Sequence, residues 1–138
     1  FAGYHADMTR SFATKGYSDE QKSIYDIVLN AQVKSIEGIK SGMSCKSIDS
    51  IARDHIANAG YSKFFDHGLG HSLGLEIHED PRFSKVSEDV LEENYVMTVE
   101  PGIYVPDIGG VRIEDDIIVT KNGAEILNKT SKEFQVIS

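Results

Sequence analysis

Apolar residues recur at helical spacing through the first part of the chain and crowd into short β-branched runs through the second, and this change of period sets out the elements. Ile24, Ile27, Val28, Ala31 and Ile39 follow Ser18-Asp-Glu-Gln21, a capping box in which the serine and glutamine side chains each satisfy an end amide. The spacing predicts a helix from Ser18 to about Ser41-Gly42. A second helix is predicted from near Ser44, with Ile48, Ile51, Ala52, Ile56 and Ala59 on one face and Gly60 as its C-terminal cap. Both helices are amphipathic and joined by a short link, so they should pack side by side on a sheet. Phe1 to Thr14, with turn chemistry following at Lys15-Gly16, reads as a strand running into a loop.

The second half reads as strands and loops. His67 and His71 stand four apart, a helical spacing, but Gly68 and Gly70 between them make a helix costly, so an extended, glycine-bent segment is expected. Tyr95 to Tyr104 and Val111 to Thr120 read as two strands joined by the five-residue hairpin loop Pro106-Asp-Ile-Gly-Gly110. If Val105 pairs with Val111, Tyr104 faces Arg112, Gly102 faces Glu114 and Glu100 faces Asp116, all on one side of the sheet. Glu100 and Glu114 then become diagonal neighbours, roughly 7 to 8 Å apart at the backbone, a span that two glutamates close by converging on a metal. The chain shows no repeat, low-complexity tract or internal linker. The fold class expected is α+β in one compact domain, an antiparallel sheet covered by two amphipathic helices.

Composition narrows the partners. A chain of 138 residues with 40% hydrophobic and 26% charged residues can bury a core. Its formal charge of -8, from 22 acidic and 14 basic residues, repels phosphate backbones and anionic lipid heads. No nucleic acid and no membrane partner is therefore expected. Cys45 is the only cysteine, which rules out an internal disulfide and suits a cytoplasmic setting. The chain opens on Phe1, not on Met, in a stretch that reads as mid-strand, so it is expected to be part of a longer protein.

The titratable residues form an ordered series: His67 and His71, then Glu76, His78 and Glu79, then Glu100, then Arg112 and Glu114. Clustered carboxylates with one imidazole can hold the metal ions that deprotonate water for hydrolysis at neutral pH. An ordinary solvated face explains Glu92, Glu93 and Glu125 equally well. It fits less well with Glu100, set between Thr-Val and Pro-Gly, or with Glu114 amid isoleucines. His5 and His55 read as structural. His67, His71 and His78 lie in a glycine-rich stretch where the backbone can approach a ligand, although turn glycines alone could account for any one of them.

Five blocks carry a resemblance: Asp7-Met-Thr-Arg10, His67-Gly-Leu-Gly-His71, Gly74-Leu-Glu-Ile-His78-Glu79, Glu100-Pro-Gly102 and Gly110-Val-Arg-Ile-Glu-Asp115. In this order the chain resembles the catalytic domain of the pita-bread metallopeptidases, in the Xaa-Pro branch of prolidase and aminopeptidase P more than in methionine aminopeptidase. The resemblance implies that Asp7 and Glu114 bridge two metal ions and that His71 and Glu100 complete the shell of one. It implies that His67 and His78 contact the substrate or stabilise the tetrahedral intermediate, that Tyr104 and Arg112 support the metals, and that Glu100 shuttles a proton to the leaving amine. The reaction implied is hydrolysis of the bond between an N-terminal residue and proline, through a hydroxide bridging two ions about 3.5 to 4 Å apart. Short peptides with proline in second position would be the substrates. Oxygen-rich ligation with one imidazole suits manganese, cobalt, zinc or iron, with manganese the choice the family suggests.

The family places a further aspartate eleven residues ahead of the position matched by Asp7, which falls before Phe1. The chain is thus expected to be the later part of a pita-bread catalytic domain, truncated at its N-terminal side. Its first strand would lack its usual partner, an edge that admits a second copy as a homodimer. Two other readings stand beside the peptidase: a truncated, catalytically incompetent product, and a pita-bread protein that has become a creatine-hydrolysing enzyme or a non-catalytic interaction module. Retention of Asp7, His71, Glu100 and Glu114 argues against the last.

Overall fold

The computed structural model describes residues 2–137. Helix α1 spans Asp19–Gly38, and its capping box forms as the sequence predicts, with the Ser18 side chain accepting from the Gln21 amide and Gln21 reaching back to the Ser18 amide. It ends three residues short of Ser41. Helix α2 spans Cys45–Asn58, and Gly60 follows with a φ of 91°, a left-handed conformation that ends a helix at little cost for glycine. The helices pack on one another, with Gly38 of α1 against Ile48 and Ile51 of α2, and Ile24, Val28, Ala31, Ile48, Ala52 and Ile56 are all buried in the core. Ala59, expected on the same face, is exposed.

Beneath the helices lies a five-stranded antiparallel sheet in the order β3-β2-β4-β7-β8, formed by Gly70–Ser72 (β2), Glu79–Phe83 (β3), Val96–Val99 (β4), Asp115–Val119 (β7) and Ala124–Ile126 (β8). Phe83, Met97, Val99 and Ile117 point from it into the core shared with the helices. A two-stranded hairpin, Gly102–Val105 (β5) and Gly109–Arg112 (β6), continues beyond β4 and β7. The first expected strand is laddered only at Ala13–Thr14 (β1), which pairs in parallel with Val136–Ile137 (β9). The segment before it is extended and tied by single bonds, His5 to Gly74 and Glu114 to Thr9.

The long hairpin differs from the sequence reading in two ways. Its loop is Pro106–Ile108, three residues instead of five, and Val105 pairs with Gly109. Asp107 takes the left-handed φ of 64° that such a tight loop needs, while Gly109 and Gly110 join the strand. Glycine is required there because the Tyr104 ring lies across Gly110, where a Cβ would meet it at 2.8 Å. The register therefore shifts by two: Tyr104 faces Gly110, Gly102 faces Arg112, and Asp116 faces Thr98. Carried through the break between β4 and β5, the same register sets Glu100 opposite Glu114, in place of Asp116. The slip is even, so the residues expected on one face stay on it.

The two long strands are also interrupted at the candidate carboxylates. Pro101 has no amide hydrogen, and the Glu100 amide donates to Leu69 while the Glu114 amide donates to Thr9. The ladder opens there, and β2 and the Asp7 segment enter from either side.

Candidate metal centre

That opening brings the ligand candidates together. One ligand atom from each of Asp7, His71 and Glu114 lies within 4.8 Å of the others. His71 Nε2 stands 3.2 Å from Glu100 Oε1. Asp7 arrives on the extended N-terminal segment, pinned by its amide donating to Asp116 Oδ2 at 3.0 Å. His71 arrives on β2, and Gly70 allows the close approach: a Cβ there would collide with the Thr98 carbonyl. Thr98 in turn accepts from the His71 amide through its hydroxyl at 3.0 Å and donates to Glu100 Oε1 at 3.1 Å.

The imidazole tautomers follow from acceptors that carry no proton. His71 Nδ1 lies 2.9 Å from the Ser72 carbonyl and must donate to it, so Nε2 is the nitrogen that faces Glu100 and the cluster, bonded to the carboxylate when it carries a proton and able to bind a cation when it does not. His67 Nδ1 lies 2.7 Å from the Gly68 carbonyl, so its Nε2 accepts from the Tyr104 hydroxyl at 3.3 Å. Arg112 donates to Tyr104 at 3.4 Å and, through Nε, to the Thr9 hydroxyl at 3.0 Å, and Thr9 donates to Glu114 Oε2. One chain of hydrogen bonds thus runs from His67 through Tyr104, Arg112 and Thr9 to Glu114. His78 stacks edge-on against His71 at 4.4 Å between ring centroids.

The electrostatics suit a cation. Glu114 is 2% exposed, and its carboxyl is pushed up to about 7, chiefly by burial and further by Glu100 and Asp7, with Thr9 and Arg112 opposing. Its Oε1 is buried without a hydrogen-bond partner among the described residues, as is Asp116 Oδ1. Burial likewise raises the Asp116 carboxyl, against the Asp7 amide that it accepts. Burial alone would lower the His71 imidazole, but its bonds to Glu100 and Ser72 raise it overall. Burial would raise Glu100, but His71 and Thr98 bring it down. A buried orphan oxygen beside two further acidic or imidazole donors fits a divalent ion, which would satisfy it and remove the repulsion.

His67, His71, His78, Glu100 and Arg112 line one cleft of about 520 Å³ with Arg82, Phe83 and Ser84, while Asp7 and Glu114 are not among its lining residues. Glu76 and Glu79 stand apart: Glu79 accepts the Glu76 amide and caps the turn at Gly74. His55 sits beside Lys34 on the helices, in keeping with a structural role.

Sequence reasoning missed the groups that hold the ligand candidates. Asp115, fully buried, accepts from Arg10 at 2.6 Å, Lys132 at 2.8 Å and Gln32 at 2.9 Å. Arg10 also donates to the carbonyls of Glu114 and Thr9, so this ion cluster fixes the backbone on both sides of the site. Asp49, also buried, holds Arg53, which donates to the carbonyls of Phe65 and His67. Arg10 and Asp115 stood within the motif blocks, but Gln32, Asp49 and Lys132 gave only their charge or polarity as a signal.

Known proteins carry the same arrangement of chain. The model of metallopeptidase family M24 matches residues 1–121. An Xaa-Pro dipeptidase of Pyrococcus horikoshii is 53% identical over 131 residues, covering 95% of this chain and 37% of that protein. A solved Xaa-Pro dipeptidase from Bacillus anthracis superposes with a TM-score of 0.97 at 49% identity, over 99% of this chain and 39% of that one. An X-Pro aminopeptidase from Thermotoga maritima gives 0.95 at 42%, again over 99% and 39%. The chain thus spans less than two fifths of these relatives. Its α+β architecture, an antiparallel sheet under two helices, is the pita-bread fold of its solved neighbours. With the family model matched over most of the chain and relatives near 50% identity along nearly all of it, the chain belongs to metallopeptidase family M24.

Proposed function

We propose that this chain carries the metal centre of an Xaa-Pro peptidase, which hydrolyses the bond between an N-terminal residue and proline in short peptides. Asp7, His71, Glu100 and Glu114 are its ligands, for two divalent ions, manganese foremost. The observation that carries this reading is the convergence of Asp7, His71 and Glu114 within 4.8 Å, with Glu114 Oε1 buried and without a hydrogen-bond partner among the described residues. The names of the relatives, Xaa-Pro dipeptidase and X-Pro aminopeptidase, support the substrate class. A free, buried Cys45 accords with a cytoplasmic setting.

A bound divalent cation supplies a lowered water pKa and a polarised carbonyl. The residues of the chain do the remainder. Glu100 has its Oε1 occupied by Thr98 and His71, which leaves Oε2 to take a proton and return it to the leaving proline nitrogen. The Tyr104 hydroxyl accepts from Arg112 and can turn its one proton from His67 Nε2 to charge developing on the scissile oxygen. His78, packed on His71, lies in the same cleft and bounds the space left for the peptide.

The test is an assay of the metal-stripped and manganese-loaded protein on Ala-Pro, Ala-Pro-Gly and Ala-Ala. Metal-dependent cleavage confined to the two proline peptides is expected. Tight metal binding with no cleavage of either would leave a family member without this activity and end the proposal.

A further inference from the structure

A single hydroxyl holds the backbone of Arg112, the residue whose side chain supports Tyr104. The segment bearing Asp7 runs antiparallel to β6 and β7, meeting Asp116 at Asp7, Glu114 at Thr9 and Arg112 at Ser11. Of these three contacts the middle one is a backbone bond, the Glu114 amide donating to the Thr9 carbonyl at 3.1 Å. At the other two a side chain stands in for the backbone. The Asp116 carboxylate accepts from the Asp7 amide, and the Ser11 hydroxyl accepts from the Arg112 amide at 3.1 Å and donates to the Arg112 carbonyl at 3.0 Å.

Among the described residues Ser11 is the last tie before the two chains part. Ala13 turns away, its amide donating to Gln135, and a cavity of about 290 Å³ opens between Ala13 and Thr14 on one side and Gly109 and Gly110 on the other. In an antiparallel ladder the N–H and C=O of one residue point to the same side, so Arg112, with both aimed at Ser11, is not also held at these groups by β5. From this backbone the guanidinium reaches in two directions, through Nε to the Thr9 hydroxyl at 3.0 Å and through Nη1 to the Tyr104 hydroxyl at 3.4 Å. The second contact is near the limit of a hydrogen bond, and a shift of a few tenths of an ångström breaks it. Tyr104 in turn stands 3.3 Å from His67 Nε2.

We propose that Ser11 is a positioning residue, whose hydroxyl sets the place of the Arg112 backbone and through it the chain from Arg112 to Tyr104 and His67. Ser11 is not among the residues that line the cleft, whereas Arg112 and His67 are, so it acts through them. It carries no charge, and replacing it leaves the electrostatics of the metal cluster as they are. The consequence for catalysis rests on the peptidase reading above; the hold on Arg112 does not.

Nitrogen NMR of the metal-free protein reads both ends of the chain in wild type, Ser11→Ala, Ser11→Thr and Tyr104→Phe. In Ser11→Ala, hydrogen exchange at the Arg112 amide should quicken by about tenfold, the loss of one hydrogen bond, and the His67 Nε2 resonance should move toward its position in Tyr104→Phe. Ser11→Thr keeps the hydroxyl and should leave both near wild type. In the manganese-loaded protein Ser11→Ala should lower kcat on Ala-Pro by about fivefold, with KM and manganese affinity within about twofold, and should add nothing to the loss in Tyr104→Phe. A His67 resonance that stays in place while the Arg112 amide loses protection would make Ser11 a structural tie only and overturn the proposal, as would additive losses in the double variant. If Ser11→Ala does not fold, Ser11→Cys, of similar size and a weak donor, takes its place. No cleavage by wild type would end the peptidase reading, and the two resonances would still decide the role of Ser11.

Discussion

Loading the site with metal at pH 6 should expel protons, because neither Glu114 nor His71 can act as a ligand while protonated. Burial, with repulsion from Glu100 and Asp7, raises the Glu114 carboxyl to about 7, so about 0.9 of the metal-free molecules carry that proton at pH 6. His71 is raised from its usual value by Glu100 and Ser72 against the effect of burial, which adds to the release in the same direction. About 0.9 of a proton should leave Glu114 per site at pH 6 and almost none at pH 9. The sign for stability follows. Below the unfolded value of 4.5 the group is protonated in both states and contributes nothing. Above about 7 its forced ionisation costs the metal-free fold about 3 kcal/mol, and the loss accumulates as pH rises between the two. Calorimetric manganese titrations in two buffers of different ionisation enthalpy count the protons. Glu114→Gln should lower the count at pH 6 by about 0.9. Less than half a proton released by wild type at pH 6, or an unchanged count in Glu114→Gln, would refute the coupling of Glu114 to the metal.

Three substitutions probe the groups around the ligands. Asp115→Asn leaves the buried Arg10 guanidinium and half-buried Lys132 without their counter-charge, so denaturant unfolding should show a loss of about 3 kcal/mol. Gly70→Ala forces a Cβ into the Thr98 backbone and should cost about 1 to 3 kcal/mol, with manganese affinity falling as His71 and Glu100 are displaced. Tyr104→Phe breaks the bridge from Arg112 to His67 but leaves the ligands in place. Manganese affinity should hold within about twofold while kcat falls by about tenfold, as expected for one lost hydrogen bond at a reacting group; a matching fall in metal affinity would contradict the role given to it.

Local signals made the helices legible: the Ser18 capping box and the spacing of Ile24, Val28 and Ala31 need no distant partner. The hairpin was legible in its parity and not in its register. Because strand faces alternate with a period of two, a two-residue error kept Glu100, Arg112 and Glu114 on the expected side while misplacing each partner. The error came from reading Gly109 and Gly110 as loop, when they are strand residues, Gly109 with a φ of 133° and Gly110 cleared for the Tyr104 ring. The ligand cluster itself was visible only as an ordered series, since Asp7 and Glu114 meet across more than a hundred residues. Nothing in the periodicity marks Gln32, Asp49 or Lys132, whose roles depend on long-range packing against buried Asp115 and the His67 segment.

The most direct test of the metal centre is anomalous scattering from crystals of the protein grown with manganese. The account predicts the strongest anomalous peak between Asp7, His71 and Glu114, at about 2.0 to 2.5 Å from their ligand atoms. A peak at the surface carboxylates Glu76 and Asp80, with no density in the buried cluster, would contradict it.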